Sequence, residues 1–108
     1  MSTTVHDNTE QRRYEIHDGG ALAGFSDYEL TGRSIAFTHT ETLPEFSGRG
    51  MARELVTGEL DDARRRGLAV LPFCPYVRKI IAQDLAAYLD LVPEEDRERF
   101  DLPRTATA

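Results

Sequence analysis

The sequence predicts an α+β fold, α/β-like in its second half, in which an antiparallel meander precedes a β-α-β-α unit. Three segments with a two-residue apolar period come first, a helical period begins at Met51, and a nearly all-apolar segment follows Gly67. Because a strand–helix–strand crossover joins parallel strands, the sheet is expected to be mixed and mostly antiparallel.

The chain length limits this fold to a single domain, since 108 residues match the usual size of one domain. We expect a flexible N-terminal tail over residues 1–10, because few apolar groups are present there to offset the entropy cost of ordering. Residues 11–92 form the predicted domain. Residues 93–108 are expected to be a short helical turn followed by a C-terminal tail.

Composition excludes several function classes. The formal charge of −6 disfavours a partner with a phosphate backbone, so no nucleic acid is expected. Cys74 is the single cysteine, which rules out an internal disulfide, and the three scattered histidines offer no ligand spacing for a metal. No apolar segment approaches the ~20 residues that span a bilayer, and the first residues lack the apolar core of a secretory signal. We therefore expect a cytoplasmic protein that binds neither metal nor membrane.

The first half of the chain predicts three antiparallel strands, over residues 12–17, 21–30 and 34–43. Asp18-Gly19-Gly20 supplies the first hairpin turn, because glycine adopts positive φ without a Cβ clash. Thr31-Gly32-Arg33 supplies the second turn. In the third strand the two-residue period places on one face Ile35, Phe37, His39, Glu41 and Leu43.

The second half predicts two helices around one buried strand. Residues 51–66 carry a helical apolar stripe, with charged residues, Glu59 among them, on the outward face. Gly58 lies inside this helix, where glycine costs ~1 kcal/mol relative to alanine, so we expect a close contact between helix and sheet there. Residues 68–73 are predicted to be a strand buried on both faces, and residues 76–91 a second amphipathic helix.

The most informative segment is the glycine loop, Ser47-Gly48-Arg49-Gly50-Met51-Ala52, which lies between a strand and a helix. Its glycines let backbone N–H groups face a ligand, and the helix start adds unpaired N–H donors and a positive dipole. Arg49 and Arg53 could add charge-assisted contacts, so the loop suits a phosphate or pyrophosphate. It matches neither the P-loop nor the dinucleotide pattern G-x-G-x-x-G, and a plain turn capped by Ser47 is the alternative.

The stretch THTETLPEFSGRGMARELV, residues 38–56, resembles the cofactor-binding core of the GNAT N-acetyltransferase superfamily. That core is a strand, a loop of the form R/Q-x-x-G-x-G/A and a helix. Gly50 and Ala52 match the last two defined positions of the loop, whereas Ser47 replaces the usual Arg or Gln. With RRRGLAVLPFCPYV and YLDLV following in order, the chain is similar to small single-domain GNAT-like proteins over roughly residues 12–92. The resemblance implies a minimal, truncated GNAT fold without the helices that wall the amine substrate.

The resemblance also implies acetyl-CoA as the cosubstrate and a set of residues that would bind it. The pantetheine arm would pair with the backbone of Glu41, Thr42 and Leu43. The pyrophosphate would lie on Ser47, Gly48, Arg49, Gly50, Met51, Ala52 and Arg53. Many GNAT enzymes use a helix tyrosine to protonate the CoA thiolate. Ile80 stands at that position here, and Tyr76 is either the nearest substitute or an anchor at the helix start.

His39 and Cys74 are the candidate catalytic residues. An imidazole can accept a proton from the attacking amine, and a cysteine can act as a nucleophile or as a proton donor to the CoA thiolate. In similar small GNAT-like proteins the matching histidine and cysteine are the suspected catalytic pair, and the resemblance alone supplies that role. A structural histidine and a small core cysteine are the alternatives.

The leading hypothesis is an N-acetyltransferase that moves an acetyl group from CoA to an unidentified amine, either a small molecule or a protein lysine. A non-catalytic CoA-binding or partner-binding module on the same scaffold is the alternative, favoured by Ile80 and by the missing substrate walls. A small α+β interaction domain with an unused glycine loop is a third reading. The exposed edge of the first strand is compatible with a monomer or a homodimer.

Overall fold

A computed structural model describes residues 2–106, so Met1 and the last two residues of the expected tails lie outside the described residues. The strands form one five-stranded sheet in chain order. They are β1 (Thr3–Asn8), β2 (Arg13–Asp18), β3 (Ala21–Thr31), β4 (Ser34–Thr42) and β5 (Ala69–Pro72). Strands β1 to β4 pair antiparallel with their neighbours, and β4 and β5 pair parallel. The predicted α+β class with a mixed, mostly antiparallel sheet is confirmed.

Helices occupy the second half of the chain, at α1 (Met51–Arg65), α2 (Pro75–Gln83) and α3 (Leu85–Tyr88). Helix α1 packs across the sheet and contacts every strand, whereas α2 packs against α1, β4 and β5. None of the helices in the described residues has the length and apolar character needed to cross a bilayer. The apolar stripe predicted for α1 is buried, through Met51, Leu55, Val56, Leu60 and Ala63.

Strand β1 lies where the polarity of the sequence predicts a flexible tail over residues 1–10, and that prediction is wrong for this segment. Polar side chains with partners on distant elements hold the strand in place. The Asp7 carboxylate accepts a hydrogen bond from the Tyr28 hydroxyl at 2.6 Å and pairs with Arg66 at 3.1 Å. Because all residues of β1 except Val5 are polar, the segment has no apolar period, and the local sequence does not reveal the strand.

The one large apolar side chain of β1, Val5, packs against α1 at Gly58. A Cβ added to Gly58 would lie 3.1 Å from Val5 Cγ1, closer than ordinary van der Waals contact. The close helix–sheet contact expected from a glycine inside the helix is therefore confirmed, and its partner is the strand that the sequence did not predict.

Strand β4 contains one extra residue, Thr38, relative to β3, because Asp27 pairs with His39 whereas Tyr28 pairs with Phe37. Side chains alternate along a strand, so an inserted residue turns all later side chains to the other face. A single face is therefore a wrong prediction for the set Ile35, Phe37, His39, Glu41 and Leu43.

The two parts of β4 consequently face different surroundings. Ile35 and Phe37 are buried in the core, on the side of α1. Beyond the extra residue, Thr40 takes the α1 side, and the side chains of His39 and Glu41 are at least half exposed on the opposite face.

The helix predicted over residues 76–91 is interrupted at Asp84, whose φ of −145° and ψ of 69° are not helical. Aspartate competes for local backbone hydrogen bonds, which favours such breaks. Two short helical turns follow, at Glu94–Asp96 and Glu98–Phe100. The expected helical turn is thus present, but Phe100 and Leu102 are buried, so this part of the expected tail packs onto the domain.

The contact between Gly58 and Val5 predicts a coupling between two substitutions. Gly58→Ala alone gains about 1 kcal/mol of helix propensity but places its Cβ against Val5, so we expect little net stabilisation. A Val5→Ala background removes the contacts to Cγ1 and Cγ2 and keeps the one to Cβ at 3.2 Å, so there the same substitution should raise the free energy of unfolding by up to about 1 kcal/mol. Equilibrium urea denaturation measures both effects. Equal effects in the two backgrounds would contradict the contact.

Candidate active site

The parallel strands β4 and β5 separate at the end of their pairing. Their last paired residues are Phe37 and Pro72, and the Phe37 carbonyl oxygen accepts a hydrogen bond from the Cys74 N–H at 2.8 Å. From there β4 continues through residues 38–42, while the chain after β5 turns into α2 at Pro75. The two chains therefore diverge here, and we call the region between the end of β4 and the N-terminus of α2 the opening.

A series of polar groups begins in this opening at the thiol of Cys74. The thiol donates to Thr40 Oγ1 at 3.4 Å, and Thr40 Oγ1 lies 3.4 Å from Ser26 Oγ. The Ser26 hydroxyl in turn donates to Glu59 Oε2 at 3.0 Å. Ser26 and Glu59 are fully buried, and Cys74 is 4% exposed. We call these four residues, which connect α2, β4, β3 and α1, the thiol–carboxyl network.

Glu59 is the unusual member of the thiol–carboxyl network. Burial raises the pKa of its carboxyl well above the usual range, the hydrogen bond from Ser26 acts in the opposite direction, and the neighbouring Cys74 raises it further. Its second oxygen, Oε1, has no hydrogen-bond partner among the described residues. A buried acid with a raised pKa that is connected to a thiol is typical of functional sites.

The sequence prediction that Glu59 faces outward is wrong. Position 59 follows Leu55 by four residues and Val56 by three, so it falls on the buried stripe of α1. That spacing is the signal by which it could have been found. Thr40 carries no such signal, because the extra residue in β4 decides which side chains of that strand face α1.

Residues 47–50 of the glycine loop are exposed at the start of α1. Gly48 and Gly50 have φ values of 80° and 75°, in the left-handed region that favours glycine. Gly50 is the N-cap of α1, and no side chain caps the helix there. Because the first N–H groups of a helix have no partner within the helix, this end presents hydrogen-bond donors and a positive dipole to solvent.

Two arginines lie at the glycine loop, Arg49 within it and Arg53 directly after it. Arg49 lies over the Phe46 ring at 5.5 Å and 3.9 Å from a carboxylate oxygen of Asp18. Arg53 donates to the Gln83 side-chain oxygen at 3.0 Å and so joins α1 to α2. Both arginine side chains remain exposed, so both can contact an anion at the loop.

The end of β4 is held close to β3 by Gly24. This residue pairs with Thr42, and a Cβ at its position would lie only 2.7 Å from the Glu41 carbonyl oxygen. The Leu43 N–H donates to the Ala23 carbonyl at 2.8 Å. The backbone predicted to pair with pantetheine is therefore fixed beside the opening.

The remaining predicted cofactor contacts differ in exposure. Met51 is buried in the core, whereas Ala52 and Tyr76 are half-buried, and Tyr76 packs against the core from the first turn of α2. Ile80, in the position at which the resemblance expects a tyrosine, is buried.

His39 lies on the opposite face of the sheet from Cys74. Its side chain is 57% exposed, its Nε2 is 3.1 Å from a Glu41 carboxylate oxygen, and its ring centre is 6.2 Å from that of Phe25. The structure therefore does not bring the two predicted catalytic residues together. A catalytic role for His39 stays a prediction from the sequence.

Two solved structures share this fold. The ribosomal-protein-S18-alanine N-acetyltransferase from Escherichia coli is 15% identical, with a TM-score of 0.52 over 64% of this chain and 63% of that protein. The ribosomal-protein-alanine N-acetyltransferase from Brucella melitensis biovar Abortus 2308 is 22% identical, with a TM-score of 0.53 over 67% of this chain and 59% of that protein. The chain thus spans less than two thirds of the length of either protein, and the likeness concerns the fold.

Sequence comparison identifies the family. No curated protein matches the chain. The family model described as GCN5-related N-acetyl-transferase matches residues 13–91, which include β2 to β5, the glycine loop, α1 and α2. Because this match covers most of the chain, the protein belongs to the GCN5-related N-acetyltransferase family.

Proposed function

We propose that this protein is an N-acetyltransferase that binds acetyl-CoA in the opening between the end of β4 and the N-terminus of α2. The observation that carries the proposal is the divergence of β4 and β5 at this opening. The glycine loop follows the end of β4, and the Cys74 thiol lies beside Thr40 of the same strand. A thioester lying along β4 with its phosphates on the loop would have its acetyl end near the thiol.

Backbone groups would supply most of the cofactor contacts. The N–H groups at the start of α1, together with those of the exposed Gly48 and Gly50, suit a pyrophosphate. Arg49 and Arg53 are exposed, so they could add charge-assisted hydrogen bonds at little desolvation cost. Residues 41–43 lie beyond the last pair with β5. Because Leu43 already bonds Ala23 through its N–H and Phe46 through its carbonyl oxygen, Glu41 and Thr42 would offer most of the edge groups to the amides of the pantetheine arm.

Cys74 would carry the acetyl group in this proposal. Its sulfur, after giving up its proton, attacks the carbonyl carbon of acetyl-CoA. The bond from that carbon to the CoA sulfur breaks, and the CoA thiolate leaves and takes up the proton that Cys74 gave up. A neutral amine then attacks the acetyl-cysteine carbonyl, and an N–C bond replaces the S–C bond. The extra proton of the amine returns to the Cys74 thiolate.

The hydroxyl groups of Thr40 and Ser26 would conduct the proton between Cys74 and Glu59. Cys74 donates to Thr40, and Ser26 donates to Glu59, so the hydrogen bonds point from the thiol toward the carboxyl group. Burial disfavours the charged form of a carboxyl group, which makes an ionised buried carboxylate a stronger base than an exposed one. Glu59 would therefore hold the proton while the thiolate reacts.

The acceptor in this proposal is an amine of a small molecule or of a protein. The two structurally similar proteins are named for a ribosomal-protein alanine, which makes a protein amine a reasonable first choice for assays. We further propose that the protein works in the cytoplasm, as a monomer or a homodimer.

A CoA-binding module without transferase activity is the second candidate. The separation of His39 from Cys74 favours it, because the predicted base does not reach the thiol. The tight turn at Gly19-Gly20 between β2 and β3 also favours it, because no helix there walls an amine site.

Gly50→Ala tests the cofactor site. The added Cβ meets no protein atom within 4 Å, but it needs a φ of 75° and would lie among the phosphate donors. We expect CoA affinity, measured by calorimetry, to fall at least about 10-fold. Gly32→Ala is the matched control, because Gly32 lies in the β3–β4 turn with a φ of 60° and equally open space. Equal losses in both variants, or no binding of millimolar CoA to the unsubstituted protein, would contradict the site.

Cys74→Ala tests the acetyl-cysteine route. Intact-mass spectrometry after incubation with acetyl-CoA should show one acetyl group on Cys74, which the variant lacks. Acetyl transfer to a panel of amines should fall roughly 100-fold or more, with CoA affinity retained. Full transfer by the variant would point instead to direct attack of the amine on acetyl-CoA. Binding of CoA by the unsubstituted protein without transfer to any amine would support the second candidate.

Glu59→Gln tests the buried carboxyl group through pH. Because folding raises the pKa of Glu59, its contribution to stability is complete below the usual carboxyl pKa and is lost as the pH rises above it. Glutamine keeps the size and removes the ionisation. The variant should therefore unfold at a similar temperature near pH ~4 and at a higher temperature than the unsubstituted protein near pH ~8.

The control for this experiment is Glu54→Gln, at an exposed position on the same helix, unfolded over the same pH range. A Glu59→Gln difference that stays constant from acid to alkaline pH would rule out the raised pKa. The same variant should transfer acetyl groups more slowly while binding CoA with unchanged affinity, which a purely structural role would not produce.

A further inference from the structure

The sheet face opposite α1 carries a cluster that the proposed transferase site does not use. His6 on β1 lies directly opposite Glu15 on β2, and His17 follows two residues after Glu15 on the same strand. Since side chains alternate along a strand, Ile16, between Glu15 and His17, and Val5, next to His6, point to the core, and all three cluster residues share the other face.

The two imidazoles converge on one carboxylate oxygen. Glu15 Oε1 lies 2.9 Å from His17 Nε2 and 3.5 Å from His6 Nε2. One possible ligand atom from each of the three residues lies within 4.8 Å of the others. A tetrahedral zinc ion with bonds of ~2.1 Å separates its ligands by ~3.4 Å, so small side-chain movements would complete the coordination.

Glu15 is oriented for this role by its second oxygen. Although it stands on the face away from the core, its side chain is only 7% exposed. Its Oε2 accepts hydrogen bonds from Arg13 Nε at 2.8 Å and from Asn8 Nδ2 at 3.0 Å. These contacts leave Oε1 facing the histidines, and outer contacts of this kind hold a metal ligand in position. The half-exposed His6 leaves room for a solvent ligand.

From this geometry we propose that His6, Glu15 and His17 bind a divalent transition-metal ion, with Zn²⁺ as the reference ion. The ligands are two imidazole nitrogens, one carboxylate oxygen and one solvent molecule, an open three-residue set that suits Zn²⁺ and also Co²⁺ or Ni²⁺. Mg²⁺ and Ca²⁺ prefer oxygen ligands and are not expected to compete. The histidines look scattered in the sequence, which is why a metal is not expected there, and strand pairing brings them together.

The ion would join the edge strand β1, which has few apolar contacts, to β2. It lies on the opposite face from Cys74, so the proposal does not depend on the proposed function, and each can fail without the other.

Calorimetric titration of the full chain with ZnCl₂, after removal of bound metal with a chelator, tests the site. We expect one Zn²⁺ per chain and a rise in unfolding temperature. His6→Gln and His17→Gln should each weaken binding at least ~10-fold. Bound Co²⁺ should give the intense visible absorption of four-coordinate cobalt, and both variants should lose it.

His39→Gln is the matched control, because His39 lies on the same face beside a carboxylate, Glu41, but residues 2–106 place no third ligand near that pair. Its Zn²⁺ affinity should equal that of the unsubstituted protein. Circular dichroism of each variant confirms folding, and the histidine variants decide the question even if Glu15→Gln fails to fold. No saturable binding at submillimolar Zn²⁺, or binding that His6→Gln and His17→Gln leave unchanged, would overturn the proposal.

Discussion

The extra residue in β4 determines which side chains meet at the candidate site. If β4 alternated regularly, without the bulge at Thr38, His39 would share the face of the buried residues before it, and Thr40 would point away from α1. With it, Thr40 joins Cys74 and Ser26 on the core side, while His39 moves to the opposite face. A bulge thus leaves one residue unpaired and turns the side chains beyond it to the opposite face of the sheet. The arrangement of the thiol–carboxyl network depends on this single irregularity.

The thiol–carboxyl network lowers the stability of the fold. An ionised carboxylate in an apolar interior costs several kcal/mol, so burial beside Leu55, Val56 and Leu60 favours the protonated form of Glu59 and raises its pKa. Its Oε1 has no partner among the described residues, which costs about 1–3 kcal/mol by itself. A leucine at this position would avoid both costs. Proteins keep such local conflicts mainly where a site uses them, which favours a chemical role for the buried acid.

Local signals explain what the sequence could predict. Apolar periods and glycine positions gave β2, β3, β4, β5 and α1 to within a residue or two, and the glycine loop in its correct place before α1. The missing strand β1 depends on partners far along the chain, since Asp7 contacts Tyr28 and Arg66, 21 and 59 residues away. A two-residue period likewise contains no sign of a bulge, so it predicts the wrong face for His39. The position of Glu59 is predictable, because its spacing from Leu55 and Val56 places it on the buried stripe.

The order of the strands separates the two proposed sites physically. Strand β1 is one edge of the sheet and β5 the other, so a metal ion between β1 and β2 lies across the sheet from the opening at β4. The core side of β1 depends largely on polar contacts, and burial raises the pKa of Tyr28, which keeps its hydroxyl a neutral donor to Asp7. Such contacts contribute only modestly to stability. Because binding to the folded state alone adds to its stability, a metal at His6 would strengthen the pairing of β1 with β2 while leaving the cofactor site unchanged.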